Sequence, residues 1–286
     1  MAPLAFDSMT STDPFTATEF VQSAPDIWSR SFDGHRVDVF VPRRVTANTP
    51  VLVIHDGMNV FFPEFSSTGQ TWEVLESIKR GRIQEELVVV AVWGEGGTKK
   101  FNPRRINEFL VDDLFETQPE IWETLEPALR PPTREARGNY MVSLVADQIL
   151  PAVAERFGLT LTPSRTAIAG CSVAGIASIY AVSKRPDVFE AAFSFSSHWQ
   201  FGGEELANFL ADRLPTLHKP LVWADTGSEG LDAASMRLNE LFGELLQARG
   251  WGENSISRTF NGTGHSESYW AARLDLPVNW WLSKQR

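Results

Sequence analysis

The stretch Arg165-Thr166-Ala167-Ile168-Ala169-Gly170-Cys171-Ser172-Val173-Ala174-Gly175-Ile176-Ala177 decides the fold. Residues 166–169 are apolar or β-branched and are expected as a short buried strand. Small residues follow and open a helix, and Ser172 stands at the apex of the turn between them. This strand–turn–helix context is that of a nucleophile elbow, which strains the serine backbone so that the hydroxyl stands clear of the sheet. Small neighbours are required because strand and helix nearly touch there. Gly170 and Ser172 meet the pattern G-x-S-x-G, whose last place holds Ala174, with Gly175 one step later.

Outward from the elbow, strands alternate with helices. Residues 50–54, 87–93, 191–196, 220–225 and 255–260 read as strands. The first two are continuous apolar runs, expected for strands covered on both faces. Residues 70–79, 140–157 and 231–249 read as helices, the last two closed by Gly158 and Gly250. Such alternation predicts an α/β fold with a mostly parallel sheet and helices on both faces. Before it, residues 27–32 and 36–41 alternate around Asp33-Gly34, a hairpin signal. Residues 1–25, rich in Ser, Thr, Ala and Pro, are expected as a loosely held arm, and 26–286 as one domain. Residues 110–137, with Pro131-Pro132, read as irregular and are the expected lid or cap insertion.

The chain has 286 residues, 43% of them hydrophobic and 22% charged, enough for a sizeable core. A net charge of −10 argues against nucleic acid and anionic membranes, which select basic patches. The N-terminal stretch has neither a basic region nor a long apolar run, so no signal peptide or membrane span is expected. The single cysteine, Cys171, makes no intramolecular disulfide and favours a reducing, cytoplasmic location. No metal-ligand spacing or phosphate-binding loop is visible, so no cofactor is expected.

In an open parallel sheet, ligands bind beyond the carboxyl ends of the strands. The residues expected there are His55-Asp56-Gly57, Trp93, Ser172, Ser197-His198-Trp199, residues 225–232 and His265. A serine, a later carboxylate and a still later histidine stand in the order of an α/β-hydrolase triad. Serine needs a base to take its proton, histidine serves near neutral pH, and a carboxylate fixes the histidine tautomer. His265, in a Gly-rich loop after the last strand, is the expected base. His198 ends a strand and is placed to touch a substrate, whereas His55 is expected to shape its loop. The backbone amides of Met58 and Val173 are the expected oxyanion donors. Cys171 is expected as a small buried hydrophobe.

Several linked motifs resemble the putative-esterase branch of the α/β-hydrolases, over roughly residues 30–282. His55-Asp56-Gly57-Met58-Asn59-Val60-Phe61 is similar to H-D-G-Q-N-L-F. Arg104-Arg105-Ile106-Asn107-Glu108-Phe109 is similar to R-R-x-x-E-Y. Residues 167–174 are similar to A-I-A-G-x-S-M-G, and Gly264-His265-Ser266-Glu267 with Trp270 and Arg273 to G-H-N-E-x-x-W-x-x-R. The branch includes enterochelin, feruloyl and acetyl-xylan esterases, S-formylglutathione hydrolases and mycolyltransferases. The resemblance implies an α/β-hydrolase fold, a Ser-His-acid site and a small-molecule ester substrate. It also implies an acid three residues after a strand-end glycine. After Gly227 that slot is Gly230, so Glu229 is the expected acid, with Asp232, Asp225 and a Ser–His dyad as alternatives.

Trp93, Trp199 and Trp270 are candidates to stack on a substrate ring, with core packing as the plain alternative. Arg105 or Arg104 is a candidate for an anionic group, with an ion pair as the alternative. The expected function is a serine esterase working through an acyl-enzyme. The other readings are an acyltransferase using the same acyl-enzyme, favoured by a dry Trp-lined pocket, and a non-catalytic binding protein, motivated by the irregular acid. The Trp-rich final helix docks on the core or forms a homodimer seam.

Overall fold

Nine strands, β1 (Val21–Ala24), β2 (Ile27–Phe32), β3 (His35–Phe40), β4 (Val51–His55), β5 (Val88–Val92), β6 (Thr166–Cys171), β7 (Ala191–Phe195), β8 (Leu221–Gly227) and β9 (Ser255–Phe260), join in one sheet. Their order is β1-β2-β3-β5-β4-β6-β7-β8-β9. The structure, a computed structural model, describes residues 16–95, 104–127, 130–131 and 133–285. From β5 to β9 every neighbouring pair is parallel, and β1, β2 and β3 complete one edge antiparallel.

The apolar runs are long because both faces of the sheet are covered. Val51, Val53, Val90, Ile168 and Ala192 pack into one core, with the helices Arg104–Phe109, Val173–Lys184, Gly203–Arg213 and Met236–Ala248. Leu52, Ile54, Val89, Ala169 and Phe193 pack into the other, with Val74–Lys79, Glu267–Ala271 and Asp275–Ser283. This is the α/β-hydrolase fold. Among the described residues no helix is long and apolar enough to cross a membrane.

Four expectations change. The arm expected over 1–25 is in part sheet: Val21–Ala24 pairs with β2, and Ala17 and Phe20 are buried. Residues 1–15 lie outside the described residues. The segment 110–137 is no loose lid over its described part. It holds the helices Asp112–Thr117 and Ile121–Thr124, and Leu110, Leu114, Phe115, Ile121 and Trp122 belong to the first core. Apolar residues in that short segment found a face to bury against, which a reading of turns and prolines overlooks. The helix expected from residue 70 starts at Val74, because Trp72 is inserted in the core against Phe195 and Trp270, with ring centres 5.1 and 5.8 Å away. The helix expected over 231–249 opens with a 3-10 segment, Gly230–Ser235, before its α-helical part, Met236–Ala248.

The hairpin turn at Asp33-Gly34 has φ of 47° and 80°, the pairing of positive values that a two-residue turn of the favoured hand requires. The final helix docks on its own sheet: Trp281 is fully buried, its Nε1 donates to Ser164 O at 3.0 Å, and Trp280 lies against Trp223.

Candidate active site

Ser172 follows β6 directly, with φ 58° and ψ −131°. Positive φ in a residue with a Cβ costs about 1–3 kcal/mol and persists only where its surroundings enforce it. They do so by close packing. A Cβ on Gly170 would lie 2.4 Å from Ala174 O and 3.0 Å from Ala174 Cβ. One on Gly175 would lie 2.4 Å from Ser197 Oγ and 2.9 Å from Ser194 Oγ. The departure from G-x-S-x-G is therefore a sharing of space. Ala174 fits because Gly170 faces it, and Gly175 takes the contact with β7 and its loop. The Ser172 amide donates to Phe195 O at 3.0 Å, which ties the elbow to β7. The Val173 amide is at the first turn of the helix Val173–Lys184, where backbone donors lack intrahelical partners. Cys171 is buried, and burial pushes its thiol well above the usual range.

The second expected oxyanion amide belongs to Met58, in the short 3-10 turn Gly57–Asn59. The turn's own hydrogen bonds are donated by Asn59 to Asp56 O and by Val60 to Gly57 O. Arg105 grips the turn from outside, its Nε donating to Asp56 Oδ1 and its Nη2 to Asp56 Oδ2. Burial disfavours the Arg105 charge, and the Asp56 carboxylate more than offsets it, so Arg105 stays ionised. The expectation of Arg105 as an anion holder is thereby corrected: its fork is spent on Asp56, and it braces the loop.

His265 follows β9 and is half-buried. Its Nδ1 lies 2.7 Å from Asp232 Oδ1, and its ring stands edge-on to Trp270 at 5.0 Å. The acid against His265 is thus Asp232 and not the expected Glu229, which is exposed and precedes the 3-10 turn as its N-cap. Asp232 reaches the site by folding back on the end of its own strand. Its Oδ2 accepts from Gly227 N at 2.8 Å, and a Cβ on Gly227 would lie 2.8 Å from that same oxygen. The carboxylate that meets the strand-end glycine is brought there by the 3-10 turn and stands five residues on, where the resemblance implied three.

Asp232 is buried, and burial alone would raise its pKa. Hydrogen bonds from His265, Ser196 and the Gly227 amide outweigh that and hold the carboxyl below the usual range. Ser196 carries most of this second layer. Its Oγ donates to Asp232 Oδ2 at 2.6 Å and accepts from Trp270 Nε1 and Arg273 Nη2, both at 2.9 Å. The other alternative, Asp225, is engaged elsewhere. It is fully buried and pairs with Arg273 at 2.8 Å and with Trp223 Nε1 at 2.7 Å. In the sequence Trp270 is a candidate to stack on a substrate ring, and Arg273 stands in the same motif; the structure turns both toward Ser196. Their three-residue spacing puts both on one side of a helical turn, and Ser196 is what they meet there.

Two expected substrate-binding tryptophans are in the core. Trp93 is fully buried and donates to Asp38 Oδ2 at 2.8 Å. Trp199 is fully buried against Phe242, with ring centres 4.9 Å apart. His55 is buried beside Phe109, and burial pushes its pKa down to about 4. Among the described residues no group of three or more His, Cys, Asp or Glu side chains is arranged to hold a metal.

Comparison with known proteins extends these observations. The model of the putative-esterase family matches residues 33–279. The chain is 21% identical over 245 residues to an uncharacterized Bacillus subtilis protein, YbbA, covering 83% of this chain and 87% of that one. Among solved structures, the siderophore hydrolase EstB from Aspergillus nidulans is similar with a TM-score of 0.63 at 16% identity, over 89% of this chain and 95% of that chain. The enterobactin esterase from Shigella flexneri, solved with 2,3-dihydroxy-N-benzoyl-glycine, gives 0.60 at 19% identity. That match covers 87% of this chain, which spans 56% of the length of the Shigella protein.

Proposed function

The chain belongs to the putative-esterase family, and on that premise we propose that it is a carboxylic-ester hydrolase that uses Ser172, His265 and Asp232. The observation that carries this is the Asp232–His265 hydrogen bond of 2.7 Å on the loops that follow β8 and β9, in a chain whose Ser172 is held with positive φ at the elbow after β6. Asp232 accepts a hydrogen bond from Nδ1–H, which leaves Nε2 as the basic nitrogen. His265 Nε2 takes the proton of Ser172 Oγ as that oxygen attacks the ester carbonyl. The negative charge that develops on the carbonyl oxygen is received by the Met58 and Val173 amides. His265 then gives its proton to the departing alkoxide. The acyl group remains on Ser172 until water, deprotonated by the same nitrogen, releases the acid.

Hydrolysis is favoured over acyl transfer. The dry Trp-lined pocket that would favour transfer lacks its walls: Trp93 and Trp199 are core residues, and Trp270 is hydrogen-bonded to Ser196. The irregular acid motivated the non-catalytic reading, and the Asp232–His265 hydrogen bond speaks against it. The substrate is a small-molecule ester, and siderophore esters are one class to include because solved relatives bear those names. The buried, free Cys171 suits a cytoplasmic setting. Labelling with a fluorophosphonate, read by intact mass, tests the reading alongside a panel of ester substrates. One adduct on the native chain and none on Ser172→Ala supports it. Full hydrolysis by Ser172→Ala sinks it.

A further inference from the structure

Three adjacent parallel strands end together at the site. β4 ends in His55, β6 leads into Ser172, and β7 ends three residues before His198. The histidines differ in what holds them. His35 uses both ring nitrogens, on Asp33 O and Glu108 Oε1, each at 3.0 Å. His265 is fixed through Nδ1 by Asp232. His198 is held only by rings: its centre lies 5.3 Å from that of Phe201 and 6.4 Å from that of His265, edge-on to both. Among the described residues neither ring nitrogen of His198 has a hydrogen-bond partner, although the side chain is half-buried. Its nitrogens are therefore open to a group that arrives from solvent. Burial, then the neighbouring His265, pushes its pKa down to about 4. At neutral pH the ring therefore offers one donor and one acceptor.

We propose that His198 is a substrate-binding residue that hydrogen-bonds a polar group on the alcohol half of the ester. The proposal rests on the esterase reading above. The leaving oxygen takes its proton from His265, so the alcohol half lies against that ring. His198 is the neighbouring ring with free hydrogen-bonding capacity. A neutral imidazole suits the place because a charged one would oppose the imidazolium that forms on His265. The selected alcohols carry a donor or acceptor close to the ester oxygen. An alcohol that is apolar at that point leaves the imidazole unpaired, which is the situation in which sites discriminate most strongly.

The test compares 2-hydroxyethyl butyrate with n-propyl butyrate, which differ by a hydroxyl in place of a methyl. The readout is the ratio of kcat/KM for the two esters in the native chain, His198→Phe and His198→Gln. His198→Phe is expected to lower the hydroxyethyl-to-propyl ratio by about 10-fold, the loss of one hydrogen bond. His198→Gln, which retains a donor and an acceptor, is expected to keep the ratio within ~3-fold of the native value. Because each ratio is internal to one variant, a general loss of active protein cancels, and His198→Leu replaces His198→Phe if the latter does not fold. A ratio that His198→Phe leaves unmoved overturns the assignment. A native chain that reacts with fluorophosphonate and hydrolyses both esters, with that unmoved ratio, isolates the failure to His198. A chain that hydrolyses neither and takes no label overturns the esterase reading and this one with it.

Discussion

Ser196 Oγ lies 2.6 Å from Asp232 Oδ2, and the same oxygen accepts from Trp270 Nε1 and Arg273 Nη2. Ser196 is buried, with a φ of 45°. Its hydroxyl hydrogen is thereby committed to Asp232, since two donors already occupy its acceptor side. Through Arg273 the cluster also reaches Asp225, so one buried cation lies between two buried carboxylates. Ser196→Ala removes one of three donors to Asp232 and leaves Trp270 Nε1 without an acceptor. A hydrogen bond to a charged group is worth about 1.5–3 kcal/mol, so kcat is expected to fall by about 10–100-fold. KM should hold, because Ser196 is buried and its hydroxyl is engaged by Asp232, Trp270 and Arg273. The low-field proton resonance of the His265–Asp232 hydrogen bond should shift in the same variant. An unmoved resonance with a raised KM would contradict this placement.

Asp232 and Glu229 separate by role. Asp232→Asn keeps the shape but presents the wrong hydrogen-bonding pattern to His265 Nδ1, and kcat should drop by about 10³–10⁴-fold. Glu229→Gln changes an exposed side chain, and its kcat should stay within ~3-fold of native, the scale of a surface change. Steady-state kinetics on one aryl ester decides it. The reverse ranking would return the acid to Glu229.

Gly175 meets Ser197 Oγ and Ser194 Oγ where a Cβ would sit. Gly175→Ala should destabilise the fold by about 1–3 kcal/mol through overpacking. Adding Ser197→Ala removes the nearer oxygen and should restore part of the loss. Denaturant midpoints of the single and double variants check this, and an additive double variant would refute the contact.

Arg105, half-buried, and the buried Asp56 form a bidentate pair. Arg105→Gln leaves the Asp56 carboxylate unpaired, at a cost of about 3–5 kcal/mol. Asp56→Asn with Arg105→Gln should recover most of that stability, since no charge is stranded. A double-mutant cycle by urea unfolding measures the coupling. Equal losses in the single and double variants would argue against the brace.

The pH dependence of stability has two windows. Burial pushes His55 and His198 down to about 4 from the ordinary histidine value of 6.5. Between these values the unfolded chain binds more protons than the native one, so stability falls as pH drops from 6.5 towards 4. His35 is shifted the other way: burial lowers its pKa, and Glu108 more than offsets it. Its contribution is complete below 6.5 and is lost as pH rises through its raised value. Urea midpoints should therefore decline from pH 6.5 to 5, and His55→Gln with His198→Gln should flatten that decline. An unchanged slope in the double variant would show that other groups titrate.

The sequence by itself determined the parallel sheet, the elbow and the order of serine and histidine. These are local quantities: apolar runs of strand length, small residues around Ser172, and a Gly-rich loop after the last strand. Tertiary structure decided which carboxylate meets His265, what Arg105 pairs with and the fate of the tryptophans. Glu229 and Asp232 are three residues apart, and only the 3-10 turn, folded back on Gly227, puts one against His265 and the other in water. Arg105 and Asp56 are 49 residues apart, and Ser196 and Arg273 are 77 apart. Such pairings follow from strand order and helix packing rather than from spacing along the chain. An aromatic beside a motif likewise looks the same in sequence whether it faces a cleft or the core. The two covered faces of the sheet placed Trp93 and Trp199 inside, and left His198 as the ring next to His265 with hydrogen-bonding capacity to spare.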